Sequence, residues 1–241
     1  MKTFLHKASE RGHVNHGWLN AFHSFNFASW YNPDRTNFGV LRVLNDDTVA
    51  KGMGFGKHPH DNMEIITIVQ KGSLKHQDSI GNTSVIVPGE VQVMSAGTGI
   101  THSEQNSSQK DELKLFQIWV FPNIQMVTPR YGQKSYSIEG RQNIWQTIIC
   151  PIDQQEGNAI GIYQNAWFSQ TDLDQQKKIN YTSKKLNNGA YVFVIDGEIK
   201  IGDQLLTNRD AMGITNYNEF DIVALVPSKI LVIDIPMYMH K

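Results

Sequence analysis

The stretch Gly52-Met53-Gly54-Phe55-Gly56-Lys57-His58-Pro59-His60, with Glu64 shortly after it, is answered farther along by Gly97-Thr98-Gly99-Ile100-Thr101-His102-Ser103-Glu104. Pro59 has its own φ fixed near about −65° and steers His58 away from helix, so the pair reads as extended chain. In a strand alternate residues share a face, which sets His58 beside His60 and His102 beside Glu104. Two such pairs on neighbouring strands make a four-ligand metal site. Nine histidines in 241 residues give about 0.3 His-x-His pairs by chance, so the first pattern is weak alone and the combination carries the reading.

Outward from these motifs, residues 41–122 read as short strands punctuated by glycine turns, the pattern of a sandwich or barrel. Residues 65–69 form a β-branched run closed by Gln70-Lys71-Gly72, and Ser84-Val85-Ile86-Val87 lies between the turns Gly81-Asn82 and Pro88-Gly89. Along residues 113–121 both faces are largely apolar, which marks a central strand. After a connector holding Pro129, Gly132 and Gly140, a second series of strands begins near Asn143. Within it Val192-Phe193-Val194-Ile195-Asp196-Gly197-Glu198-Ile199-Lys200 repeats the design of residues 65–75. Two related barrels are expected, residues 1–130 and residues 131–241. Between His102 and His240 there is no histidine, which assigns the metal chemistry to the first.

Composition narrows the function classes. Forty per cent hydrophobic and 19% charged residues describe a globular chain with a sizeable core. Its 22 basic and 23 acidic side chains sum to −1 with no basic run, which argues against nucleic acid as a direct ligand. A lone Cys150 cannot close an internal disulfide and reads as a small buried hydrophobe. Met1-Lys2-Thr3-Phe4-Leu5-His6 runs into Lys7, Glu10 and Arg11 without an apolar signal region, and no run reaches the roughly 18 apolar residues of a membrane helix. A cytoplasmic monomer is expected. In residues 1–38, His13, His16 and His23 interleave with Trp18, Phe22, Phe25, Phe27, Trp30 and Tyr31; they are expected to hydrogen-bond within an irregular aromatic layer and not to bind metal.

Three imidazoles and a carboxylate, Glu64 or Glu104, suit one divalent transition ion such as Fe, Mn, Ni, Cu or Zn. Coordination positions left open would separate a catalytic centre from a structural one. The spacing Gly52-x5-His58-x-His60-x3-Glu64-x7-Gly72, then Pro88-Gly89 and Gly99-x2-His102-x3-Asn106, resembles the paired motifs of the cupin superfamily. More narrowly, Arg11-Gly12-His13, His16-Gly17-Trp18-Leu19, Phe25-Asn26-Phe27-Ala28, His76-Gln77-Asp78-Ser79 and residues 94–104 resemble the pirin family across the whole first half.

That resemblance implies an all-β bicupin, two antiparallel jelly-roll barrels in tandem, with a metal held in the first by the equivalents of His58, His60, His102 and Glu104. Iron is the usual assignment. Ordinary cupins use the first-motif carboxylate, here Glu64, which the strand period places on the face of His58 and His60; with Glu104 as ligand, Glu64 becomes a supporting or cavity residue. His76 is a further candidate for the cavity wall. The activity implied resembles that of bacterial quercetin 2,3-dioxygenases: a flavonol loses its 3-hydroxyl proton to Glu104 or Glu64 and reacts with O₂, releasing CO. The alternative implied is a metal-bearing regulatory protein acting on a protein partner. A sugar isomerase is disfavoured, because no Lys or Arg cluster for a sugar phosphate accompanies the motif.

Overall fold

Every residue from Glu64 to Val69 in the strand Glu64–Lys71 is buried, yet alternation sends its two faces to different places. Ile65 and Val69 point into the first half, among Met94, Leu74 and Leu115. Ile66 and Ile68 join a cluster that includes Phe168, Phe193, Leu231 and Ile233 from the second half. A strand apolar on both faces is what a buried sheet between two layers requires.

The computed structural model describes residues 1–238, so His240 lies outside them. Its strands form four sheets. In the first half a seven-stranded sheet, ordered Arg130–Ser135, Glu90–Ser95, Glu64–Lys71, Leu113–Val120, Leu41–Val49, Leu19–His23 and Gly12–Asn15, faces a four-stranded sheet of Gly54–His60, Ile100–Asn106, Leu74–Asp78 and Thr83–Ile86. The second half repeats the plan with seven strands and four. Among the described residues the strands pair antiparallel except Gln146–Pro151 with Ile160–Ile162, and an isolated bridge between Gln142 and Asp172 is also parallel. Each half is thus a jelly-roll-like sandwich, and the all-β bicupin architecture holds. Among the described residues no helix is long and apolar enough to cross a membrane.

The two seven-stranded sheets lie back to back, and the Phe116 and Phe193 rings meet edge to face at 5.3 Å. Burying side chains of this size is worth roughly 1.5–3 kcal/mol each, so the halves are joined through hydrocarbon. Hydrogen-bonded ladders also run past residue 130 at both ends. Lys2–His6 pairs with Ala211–Thr215 in the second half's sheet, and Arg130–Ser135 completes the first half's sheet against Glu90–Ser95. Each sandwich borrows an edge strand from beyond the expected boundary.

The interior of the second half is filled by Tyr181, Val192, Phe220, Ile222 and their neighbours. Its strand Glu219–Ala224 holds the position that Ile100–Asn106 holds in the first half, with Phe220 and Ile222 buried where His102 and Glu104 are buried in the other. Cys150 is buried beside Ala159 and Trp167.

Candidate metal centre

A bulge arranges the first histidine pair. His58 pairs with His102 and Phe55 with Glu104, so Gly56 and Lys57 together oppose Ser103 and the strand loses one step of register. Phe55 and His58 therefore both turn inward although they are out of phase in the sequence. Within the bulge, His58 Nδ1 lies 2.8 Å from the Gly56 carbonyl oxygen. A carbonyl oxygen only accepts, so the proton is on Nδ1 and the Nε2 lone pair is left for a metal. Gly54 seats the strand against its neighbour: a Cβ there would meet the Glu104 carbonyl oxygen at 2.2 Å.

The rings of His58 and His102 stand 4.4 Å apart, those of His58 and His60 4.8 Å, and those of His60 and His102 5.0 Å. One ligand atom from each of these three lies within 4.8 Å of the others, and a second such group joins His102 to His76 and Glu104. His102 is 1% exposed, and neither of its ring nitrogens has a hydrogen-bond partner. Two orphaned nitrogens on a buried imidazole fit the demands of a metal ligand. Gln117 Nε2 donates to both Glu104 oxygens, at 3.1 and 3.0 Å, and Thr67 Oγ1 donates to Gln117 Oε1 at 3.2 Å. Behind His102, His76 Nε2 lies 3.1 Å from Asp78 Oδ2 while its Nδ1 has no partner. Three imidazoles and a carboxylate held from outside the cluster fit a borderline divalent ion.

These side chains stand over a polar row that crosses the inner face of the seven-stranded sheet. Gln133, Gln92, Thr67, Gln117, Asn45 and His23 are successive cross-strand partners. His23 Nδ1 donates to Asn45 Oδ1 at 2.8 Å. The row lies beneath the histidines, with Asp47 beside it on the same inward face.

A cavity of about 210 Å³ opens onto the cluster, lined by Phe27, Phe55 and Trp119 with Leu19, Ala21, His23, Asn45, Asp47, His58, His60, Glu104 and Gln117. Burial, reinforced by the neighbouring His58, pulls His60 down to about 4, and burial followed by His58 and His60 pulls His102 to about 3. Burial pushes Glu104 above the usual carboxylate range, against the Gln117 amide. Asp47 rises to about 8 through burial, with Asp46 and then Glu104 adding to it. The site thus holds His60 and His102 neutral at neutral pH and makes its carboxylates more basic.

Glu64 departs from the expectation that it shares a face with His58 and His60. The chain turns at Asn62, where φ is 44°, and Glu64 opens a strand in the other sheet, on the face of Ile66 and Ile68 that looks toward the second half. There it accepts from Ser95 Oγ at 2.7 Å. Burial raises it to about 7 against the pull of that hydroxyl and of Arg130. It belongs to neither histidine group and does not line the cavity. His76 is buried behind the cluster and is absent from the cavity wall. Of the early histidines, His13 bonds Asn20 and His23 reaches the cavity wall bonded to Asn45. The cavity residues not expected from the motifs include Asn45, Asp47, Gln117 and Trp119; for the three polar ones the available signal was polar residues at inward positions of apolar strands.

The Pirin family model matches residues 5–120, and that of the quercetinase C-terminal cupin domain matches residues 148–235. The chain is 38% identical over 236 residues to the quercetin 2,3-dioxygenase of Escherichia coli strain K12, covering 97% of this chain and 98% of the relative. It is 36% identical over 223 residues to the pirin-like protein of Caulobacter vibrioides, covering 92% and 95%. The crystal structure of the bacterial pirin YhhW from Escherichia coli in complex with nickel(II) superposes with a TM-score of 0.91 at 36% identity, over 98% of this chain and 99% of that one.

Proposed function

Since this chain belongs to the pirin family, we propose that it is a metal-dependent dioxygenase of the quercetin 2,3-dioxygenase type, which opens a flavonol with one O₂ and releases one ring carbon as CO. The observation that carries the reading is the His58, His60 and His102 triad, with Glu104 grouped to His102, beside a cavity walled by aromatic rings. His58, His60, His102 and Glu104 would hold one divalent ion, and iron is the proposed resident. When bound, such an ion supplies Lewis acidity toward an oxygen donor and a path for electrons to O₂.

The chain's own groups have definite tasks in this reading. Phe27, Phe55 and Trp119 offer flat apolar walls that suit a planar aromatic ligand and exclude water. His60 carries its ring edge-on to Trp119 at 4.9 Å, which ties the ligand set to the wall. Glu104, raised in basicity by burial, is the base proposed to accept the proton of the flavonol 3-hydroxyl. Gln117 holds that carboxylate in place. Glu64, turned away toward Ser95, takes no part.

The test is oxygen uptake and CO release by metal-loaded protein supplied with quercetin. Equal amounts of O₂ consumed and CO formed are expected, with no flavonol loss under anaerobic conditions. Full metal occupancy without turnover would instead favour the regulatory reading, in which the metal serves an interaction with a protein partner.

A further inference from the structure

Asp47 lies on the inward face of Leu41–Val49, in the wall of the cavity that holds His58 and His60. The residue is 4% exposed, and its Oδ1 has no hydrogen-bond partner. Of its polar neighbours, Asn45 holds His23 through Oδ1 and the Gln117 amide is taken up by Thr67 and Glu104. No cation is directed at it either, because Arg11 and Arg209 go to Asp46, at 3.6 and 3.0 Å. Elsewhere the fold supplies its interior acids. Asp234 receives Tyr181, Tyr217, Asn188 and the Lys184 N–H, and Glu64 receives Ser95. A buried carboxyl left wanting a partner disfavours the folded chain. One retained in the wall of a ligand cavity is accounted for by a ligand that brings the partner.

We propose that Asp47 is the second anchor of the site, hydrogen-bonding a hydroxyl of an aromatic ligand whose other oxygen function reaches the imidazole cluster. This rests on the flavonol reading and adds a selection to it: the site takes polyhydroxylated flavonols over their deoxy counterparts.

The experiment measures, by tryptophan fluorescence, dissociation constants of quercetin and of 3-hydroxyflavone for the metal-loaded parent, Asp47→Asn and Asp47→Leu. The parent is expected to prefer quercetin by about tenfold or more, the value of one buried hydrogen bond. Asp47→Asn keeps most of that ratio because an amide still bonds a hydroxyl, and Asp47→Leu brings it near unity by weakening quercetin alone. A parent without preference, or a Leu variant with the parent's ratio, overturns the assignment of Asp47 and leaves the flavonol reading standing. A metal-loaded parent that binds neither flavonol overturns both. Melting of the ligand-free variants adds an independent check: loss of an unpaired buried acid raises the midpoint, whereas a fall in both variants shows that Asp47 holds the fold and overturns the proposal.

Discussion

Gln117 points its amide nitrogen at both oxygens of Glu104, at 3.1 and 3.0 Å. The Thr67 hydroxyl on Gln117 Oε1 fixes which end of the amide faces it. Gln117→Leu therefore leaves the fold in place but frees Glu104 to rotate. Metal affinity is expected to fall about 10–100-fold, the usual effect of losing an outer partner of a ligand. Competition against a chromophoric chelator measures it, and an unchanged affinity would detach Glu104 from the metal.

Glu64→Gln separates the two carboxylates. Metal content is expected to stay at the parent level, since Glu64 faces Ser95 and not the histidines. In the metal-free parent the folded state holds the Glu64 proton to about 7 against an ordinary 4.5, so between those values the folded state binds more protons and stability falls as pH rises. The Gln variant lacks that loss. Its melting advantage over the parent should grow from pH 5 to pH 8, and a variant that loses metal instead would restore the first-motif carboxylate as ligand.

For the histidines the sign reverses. His60 and His102 stay neutral down to about 4 and about 3, while the unfolded rings take up protons near 6.5. Metal-free protein should lose stability as pH falls from about 6.5 through 4, because the unfolded state then binds more protons. Thermal scans in steps across that range check this, and a flat profile in which His60→Ala and the parent coincide would contradict it.

Phe116→Ala tests what joins the halves. Removing a ring that meets Phe193 at 5.3 Å in the shared core should cost about 3–5 kcal/mol, read from denaturant midpoints. A cost below about 1 kcal/mol would mean that the sheets are held together elsewhere.

Much of this was legible in the chain itself. Pro59 and a period of two are local, so the pairs His58 with His60 and His102 with Glu104 could be read directly. The repeat between residues 65–75 and 192–200 likewise marked equivalent strands, and both hold the third place in their sheets. Glu64 was misplaced because a period counted from His60 does not survive the turn at Asn62. The Gly56-Lys57 bulge shifts phase in the same way, and only the partner strand reveals it. Gln117 hid inside a strand that looks apolar on both sides, and nothing local separates Asp47 from its neighbour Asp46, which takes the arginines. The pairing of Lys2–His6 with Ala211–Thr215 joins residues too distant in sequence to leave a local trace.

The most direct measurement is anomalous diffraction at the metal edge from crystals of protein purified without added metal and then loaded with iron(II). The expected result is one ion in the first sandwich, bound by His58, His60, His102 and Glu104, with a coordination position open toward the cavity of Asp47 and Trp119. An ion found elsewhere, or His102 left unbound beside an ion that the other residues hold, would contradict the account.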